Sequence, residues 1–490
     1  MRASELLCGL FPSVTLPAIE IDTLTESSAR AHRNAIFVCI KGANADGHDF
    51  AADAYARGCR LFVAESPLSL PDDACVLSVA DTRKALAKLA CRLYCDPSHE
   101  MHLIGITGTK GKTTTAHLIR HILNRAGLPC GYIGTNGVLY NGVERPLQNT
   151  TPDAVTLQKT LCEMLTQGIR TAVVEVSSQA LMQYRADGTR FETVLFTNLY
   201  ADHVGAHEHP SFEHYRVCKH RMFTDFGARL AICNADDPAT DEMLFGTSAD
   251  RVVTCATHGM GDFYAENIRP LRTKELLGTS FTVLHGTERV ECTLPLLGRM
   301  NADNALLSIA TAVESFGIPL RVASDALCDV TVAGRSEFIP LPNGACAVID
   351  YAHNGESLSQ LLIALREYAP NRLTVLFGSV GERSQLRREE LGRAAARYAD
   401  QAILTSDNPG GEDPNAIIAE IARAFEGSST PYVSIPDRAD AIRYAVRESR
   451  AGDLLVLAGK GHENYQLIGK KKISFSEKEI LQQMYAGDPT

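Results

Sequence analysis

The chain has 490 residues, too many for one hydrophobic core, and that length predicts about three domains. Hydrophobic residues make up 45% and charged residues 22%, the balance of a soluble globular protein, and a formal net charge of −10 argues against nucleic-acid or membrane partners. Fourteen cysteines without metal-type pairs predict reduced, mostly buried thiols in the cytoplasm. No apolar run reaches bilayer length, and an acid interrupts Met1-Arg2-Ala3-Ser4-Glu5, so no signal peptide is expected.

Residues 1–98 alternate short apolar runs with turn signals. Ala35–Ile40 and Arg60–Ala64 read as buried strands, with a helix from about Phe50 to Arg57 between them. Asp81 to Tyr94 reads as a helix capped by Asp81 and broken by Cys95-Asp96-Pro97-Ser98. From 99 to 335 strands alternate with helices, the pattern of a mostly parallel sheet. Candidate strands are 102–107, 171–176, 193–197, 229–233 and 251–255; 262–297 is more β-rich, and Asn301 to Phe316 is an apolar helix. A third alternation fills 336–490, with strands near 345–350, 373–378, 401–405 and 453–458, as in a Rossmann-like domain. The expected fold class is therefore α/β in three domains.

The segment Gly105-Ile106-Thr107-Gly108-Thr109-Lys110-Gly111-Lys112-Thr113-Thr114-Thr115 follows the apolar run Leu103–Ile106. It precedes an amphipathic pattern through His117, Leu118, Ile119, Ile122 and Leu123. Strand, glycine-rich turn and helix in that order suit a phosphate-binding loop, whose backbone N–H groups and helix dipole receive an anion. Lys112 would reach the outer phosphates and the Thr113 hydroxyl would ligate magnesium. Ile106 stands where the common form has its first glycine, and Gly108 supplies a nearer one. A chance glycine turn is the alternative; strand, Lys-Thr pair and helix together weigh against it. ATP and Mg2+ are the expected cofactors.

Glu175-Val176-Ser177-Ser178 follows the apolar run Thr171–Val174. In an open α/β sheet the ligand crevice lies beyond the carboxyl ends of strands, so Glu175 could face phosphates and hold magnesium. The segment from Thr197-Asn198 to Asp202-His203 brings an acid and an imidazole to the same kind of edge. Glu213, Tyr215, Lys219, His220 and Arg221 lie on a predicted helix and could equally be a solvated face. Asp350-Tyr351-Ala352-His353-Asn354, Thr405 to Pro414 and Ala458-Gly459-Lys460-Gly461-His462-Glu463 each follow a strand, and each reads as a loop by composition.

Together these segments resemble the Mur ligase family, in its tripeptide synthetase branch. The resemblance runs over nearly the whole chain. It is carried by Asp46-Gly47-His48-Asp49-Phe50, Thr107–Thr115, Asn149-Thr150-Thr151-Pro152, Glu175–Ser178 and Thr197–His203. It continues through Lys219, Gly334-Arg335, Asp350–His353, Asp407-Asn408-Pro409 and Lys460–Glu463. The resemblance implies a UDP-binding domain (1–98), a central ATPase (99–335) and an amino-acid-binding domain (336–490). The implied reaction joins a free diamino acid to UDP-N-acetylmuramoyl-L-alanyl-D-glutamate through an acyl phosphate, with two magnesium ions and Lys112 neutralising phosphate charge.

By motif position, Thr113 and Glu175 resemble ligands of one magnesium and His203 of the second. Lys219 matches a lysine carbamylated by carbon dioxide, which makes it an anionic oxygen ligand. Gly108, Thr109, Lys110, Gly111, Lys112, Thr113, Thr114, Asn301 and Arg335 match nucleotide contacts. Ser28, Asn149, Thr150, Thr151, Ser177, Gln183 and Arg185 match contacts to the UDP substrate. Arg388, Asp407, Asn408, Gly459 and Glu463 fall to the incoming amino acid, Asp407 and Glu463 suiting an ammonium group. No stable protein partner is signalled, and a monomer is expected.

Two positions depart from the family pattern. Ser27-Ser28-Ala29 stands where Asp-Ser-Arg is common, so the arginine contribution is missing. Gly410 follows Asp407-Asn408-Pro409, where enzymes adding meso-diaminopimelate carry an arginine that clamps the distal carboxylate. Losing that clamp favours L-lysine, which has no such carboxylate, and the segments Glu175–Gln179, Glu208–Tyr215 and Asp350–Gly355 also resemble the lysine-adding branch. Against this, Lys460-Gly461-His462-Glu463 resembles the diaminopimelate branch, and Arg387 or Arg388 could supply a substitute clamp. A folylpolyglutamate synthetase-like ligase and a non-catalytic nucleotide switch are the rival readings. The Asp407 and Lys460 loops speak against the first; the set Lys112, Glu175, His203 and Lys219 speaks against the second.

Overall fold

The computed structural model describes the chain apart from residues 9, 11–17, 43–44, 201–204, 206–207, 274, 383–384 and 486–490. It divides into two compact units, Met1–Tyr264 with Leu306–Ala323, and Ala265–Ala305 with Ser324–Thr490.

The first unit opens with α1 (Ala3–Leu6), β1 (Thr23–Thr25), β2 (Ala35–Val38), α2 (Ala51–Ala56), β3 (Leu61–Ala64), β4 (Cys75–Ser78) and α3 (Thr82–Leu93). The four strands form a parallel sheet in sequence order. Both faces are covered, which is why β2 and β3 are apolar runs without alternation. Ile36, Val38, Leu61 and Val63 pack with Leu86 and Leu89 of α3, while Phe37 and Phe62 pack with Ala51 and Ala54 of α2. Asp81 caps α3 as expected, its carboxylate accepting from the N–H groups of Arg83 and Lys84.

Next come β5 (His102–Thr107), α4 (Lys112–Arg125), β6 (Cys130–Gly134), β7 (Gly137–Tyr140), β8 (Val143–Arg145), α5 (Ala154–Thr166) and β9 (Thr171–Glu175). They are followed by α6 (Ser178–Met182), β10 (Thr193–Phe196), α7 (Phe212–Thr224), β11 (Leu230–Asn234), α8 (Thr240–Leu244) and β12 (Arg251–Ala256). Within this unit the sheet order is β12-β11-β10-β5-β9-β6-β7-β8, parallel except at β6-β7-β8. Register positions the site: Ile106 of β5 lies opposite Glu175 of β9, and Thr107 lies opposite Phe196 of β10. The phosphate loop, Glu175 and Thr197 therefore leave the sheet at one carboxyl edge.

β13 (Phe263–Arg272) leads into the second unit, where β14 (Leu277–His285) and β15 (Glu288–Leu294) form an antiparallel hairpin. After α9 (Arg299–Phe316) and α10 (Leu320–Asp325) come β16 (Glu337–Pro340), β17 (Cys346–Asp350), α11 (Gly355–Arg366), β18 (Leu373–Phe377), α12 (Gln385–Tyr398) and β19 (Gln401–Leu404). The chain continues through α13 (Pro414–Ala422), β20 (Tyr432–Ser434), α14 (Arg438–Glu448), β21 (Leu454–Ala458), β22 (Tyr465–Ile468), β23 (Lys471–Ser474) and α15 (Glu477–Tyr485). Six strands order as β16-β17-β21-β18-β19-β20, parallel except for β16. Val348, Val375 and Val456 face one core with α11 and α13; Ile349, Leu376 and Leu457 face the other with α14.

All fourteen cysteines are free thiols and most are buried. Among the described residues no helix is long and apolar enough to cross a membrane.

Candidate active site

The loop between β5 and α4 is locked from the end of β10. Thr109 N–H donates to Asn198 O at 2.9 Å, Lys110 N–H to Asn198 Oδ1 at 2.8 Å, and Thr197 Oγ1 to Lys110 O at 2.7 Å. Gly108 has φ +146°, and a Cβ there would stand 1.9 Å from Thr197 Oγ1, so the loop can close on that strand only as glycine. α4 starts from Gly111, in the left-handed region, with no side-chain cap. Its first N–H groups are not occupied by a capping side chain, the arrangement that receives a phosphate. Lys112 Nζ lies over the loop, donating to Gly108 O at 2.7 Å and Thr109 O at 3.1 Å. Thr113 and Thr114 are nearly buried in the first turn. Ile106 sits wholly inside β5, which explains why the common first glycine is dispensable here.

Glu175 has no solvent exposure. Its carboxylate accepts from Thr113 Oγ1 at 2.9 Å, Tyr132 OH at 2.5 Å, Thr135 N–H at 3.1 Å and Thr135 Oγ1 at 3.2 Å. Hydrogen bonds to a charged acceptor contribute about 1.5–3 kcal/mol each, so four of them offset a desolvation cost of several kcal/mol. The 2.9 Å between Thr113 Oγ1 and Glu175 Oε2 is also the spacing, about 2.9 Å, of neighbouring oxygens around an octahedral Mg2+. A hydroxyl and a carboxylate at that separation fit the ion. Tyr132 and Thr135 escaped the sequence reading because β6 is interrupted by Gly131 and Gly134 and carries no strand signal.

On α7, Tyr215 and Lys219 lie one turn apart and are buried, whereas Glu213 is exposed. The solvated-face alternative therefore fails for those two residues. Lys219 Nζ donates to Gly108 O at 2.7 Å and lies 4.6 Å from the Tyr215 ring centroid. Tyr215 OH meets Thr109 Oγ1 at 2.9 Å. Helix and phosphate loop are thus joined twice. Asp202 and His203, the second expected magnesium position, lie outside the described residues.

Of the predicted UDP-substrate residues, Thr150, Thr151, Ser177, Gln183 and Arg185 are linked beside Glu175, while among the described residues no such link joins Ser28 or Asn149 to them. Thr151 Oγ1 donates to Glu175 O at 2.8 Å and accepts from Ser177 N–H at 3.0 Å. Arg185 donates to Thr151 O at 2.9 Å and to Gln183 Oε1 at 2.7 Å. Thr150 Oγ1 meets Thr135 Oγ1 at 3.1 Å, and Asn149 is exposed. Ser28 opens a short 3-10 turn, and its hydroxyl helps hold the Asp53 carboxyl below the usual range.

The second unit holds the remaining predictions. Asn301 is buried and donates to Leu297 O at 2.8 Å. Arg335 lies 5.1 Å from the Tyr351 ring centroid, and burial beside this guanidinium pulls the His462 pKa down to about 4. Burial pushes the Asp350 carboxyl up despite N–H donors from Ser336 and Ala352.

Asp407, Asn408 and Glu463 surround the fully buried Lys460. Its Nζ is 3.1 Å from Asn408 Oδ1, 3.2 Å from Glu463 Oε2 and 3.5 Å from Asp407 Oδ1. Within this trio two carboxylates face one ammonium, an arrangement that suits a second ammonium. Gly459 N–H donates to Asp350 O at 3.1 Å, aligning this loop on β17.

Arg388, expected as a substitute clamp, already has partners. It is 1% exposed and donates to Glu412 at 2.7 Å and Glu420 at 2.8 Å. Gly410 has φ +59°, and its backbone bonds with Leu467 O and Gly469 N–H. The glycine therefore answers a backbone requirement as well as the substrate reading given above.

Known proteins were compared with the whole chain. The family models match in order: the Mur ligase family catalytic domain at residues 20–94, the Mur ligase middle domain at 106–312 and the Mur ligase glutamate ligase domain at 334–461. A relative from Geobacillus thermodenitrificans is 37% identical over 94% of this chain and 94% of its own. Another from Listeria innocua is 36% identical over 98% and 97%. Both are named UDP-N-acetylmuramoyl-L-alanyl-D-glutamate–2,6-diaminopimelate ligase. A solved structure of a ligase of that name matches with a TM-score of 0.73 at 27% identity, covering 99% of each chain. A folylpolyglutamate synthase from Mycobacterium tuberculosis shares the fold alone, with a TM-score of 0.60 at 18% identity over 84% of this chain and 96% of its own.

Proposed function

The chain belongs to the Mur ligase family, and from this premise we propose that it joins a diamino acid to UDP-N-acetylmuramoyl-L-alanyl-D-glutamate, with meso-diaminopimelate as the amino acid. It is an ATP-dependent ligase of three-domain α/β architecture. The observation that carries the amino-acid assignment is the name shared by full-length relatives 36–37% identical to it. L-Lysine, expected chiefly from Gly410, becomes the second reading, because that glycine has a backbone reason to be there.

Bound with magnesium, ATP supplies a phosphoryl group that makes a poor electrophile, the D-glutamate carboxylate, into an acyl phosphate open to an amine. Thr113 and Glu175 are the residues that would hold the metal, with His203 and Lys219 for a second ion. Lys112 and the first N–H groups of α4 receive phosphate oxygens. Thr151, Ser177 and Arg185 orient the UDP substrate beside them. Asp407 and Glu463 hold the ammonium of the incoming amino acid. Arg388, held in the interior by Glu412 and Glu420, is left out of this assignment. We expect the enzyme to work as a cytoplasmic monomer.

The test is competition. Protein, MgATP and the UDP substrate are mixed with equal meso-diaminopimelate, L-lysine and L-ornithine, and products are identified by mass. A diaminopimelate product is expected. A lysine product would return the assignment to the lost clamp, and no product would overturn the substrate reading altogether.

A further inference from the structure

Where β9 ends and α7 begins, three side chains unused by the ligase chemistry converge. His209 Nδ1 stands 2.9 Å from His214 Nδ1, Cys218 Sγ stands 3.7 Å from the same nitrogen, and all three atoms lie within 4.8 Å of one another. We propose that His209, His214 and Cys218 form a binding site for a zinc-class divalent ion, separate from the magnesium position at Thr113 and Glu175.

The local sequence builds this convergence. Ser211 caps α7 by accepting from His214 N–H at 3.1 Å, fixing where the helix starts. His214 and Cys218 are then one helical turn apart on one face. The chain before the cap brings His209 back over that face, 5.2 Å from the Tyr215 ring centroid. Ligand atoms around a tetrahedral zinc stand about 3.3–3.6 Å apart. The observed 2.9 and 3.7 Å to His214 Nδ1 need adjustments of a few tenths of an ångström, and the remaining pair, within 4.8 Å, closes by rotation of the His209 ring and the Cys218 side chain.

The outer nitrogen of one ligand is also engaged. His209 Nε2 meets Ser178 Oγ at 2.9 Å in the buried interior. That bond sets the ring orientation and directs Nδ1 at the cluster, the role an outer-shell partner has in metal sites. His209 and Cys218 are buried and His214 is half-buried, so the ion enters past His214.

Two imidazoles and a thiolate form a borderline-soft donor set that prefers zinc to magnesium, with the fourth position left to water. Binding replaces the thiol proton and any proton shared by the two facing rings, releasing both. The ion would tie the start of α7 to Ser178 on α6. Cys218 directly precedes Lys219, so the same tie steadies the lysine that meets Gly108 O.

Co2+ titrated into chelator-treated protein is the test, since a cobalt–thiolate bond adds charge-transfer absorption that oxygen-bound cobalt at a magnesium site lacks. The band is expected in the unaltered chain and absent in Cys218→Ser and His214→Ala, each checked for folding by circular dichroism. Ser178→Ala should weaken binding by about 10- to 100-fold, and Zn2+ should raise the melting temperature of the unaltered chain only. No thiolate band in the unaltered chain would overturn the proposal. So would an undiminished band in Cys218→Ser, which would assign the signal to another of the fourteen cysteines.

Discussion

Lys219 is a long cation folded into the interior, 1% exposed, with its nitrogen against Gly108 O and the Tyr215 ring. A lysine amine that gives up its proton can add to carbon dioxide, forming a carbamate whose oxygens suit a magnesium ion. If Lys219 acts in this way, Lys219→Ala should lower kcat by about 100-fold or more, and Lys219→Glu should retain roughly ten times the activity of the alanine variant. Steady-state rates with the UDP substrate at saturation decide it; equal loss in both variants would remove the carbamate from the account. At this scale the sequence was informative where a motif fixes a residue's position, as for Thr113, Glu175 and Lys219. It was silent on Tyr132 and Thr135, which tertiary folding brings to Glu175, and on the His209–Cys218 cluster, where one helical turn pairs His214 with Cys218 but only the folded chain adds His209.

Helix starts tell the same story one level up. Asp81, Asp153, Ser177, Ser211, Asn354, Asp413 and Asp437 each accept from an N–H two or three residues on. Such caps are legible in sequence, since a short polar side chain before an apolar periodic run has few other uses. α2 and α8 also start without a side-chain cap, but only in α4, which starts on Gly111, does the open end fall in the glycine-rich phosphate loop. Buried parallel strands were also legible as apolar runs, with ends within a residue or two of β5, β9, β10, β12, β18 and β21. The β6–β8 ribbon was not, because its glycines and exposed Glu144 and Arg145 mask the pattern. Gly410 needs element-scale reasoning. It sits between β19 and α13, makes an isolated bridge to Ile468 of β22, and has φ +59°. A side chain in the left-handed region costs about 1–2 kcal/mol. Gly410→Arg should therefore lower the urea midpoint by a corresponding amount while leaving the order of amino-acid preference unchanged. A gain of diaminopimelate over lysine in the competition assay would show instead that the glycine records a missing clamp.

For the whole molecule, chemistry is divided between units that fold around separate cores. The glycine-rich loop, Thr113, Glu175 and Lys219, proposed for the phosphates and their metal, lie in the first; Asp407, Asn408, Lys460 and Glu463, proposed for the amino acid, lie in the second. Each ligand should consequently leave its own footprint in amide exchange, because bound backbone opens less often. MgADP should slow exchange at 105–115 and 171–178, where N–H groups leave β5 and β9. meso-Diaminopimelate, added with MgADP and the UDP substrate, should slow exchange at 405–411 and 459–468. The contrast between the two experiments carries the argument, since a general stabilisation would protect strands in both cores alike. Protection by the diamino acid confined to 105–115 would mean that the Asp407–Glu463 cluster is an internal ion-pair network. The two carboxylates facing Lys460 would then have to be explained without a substrate.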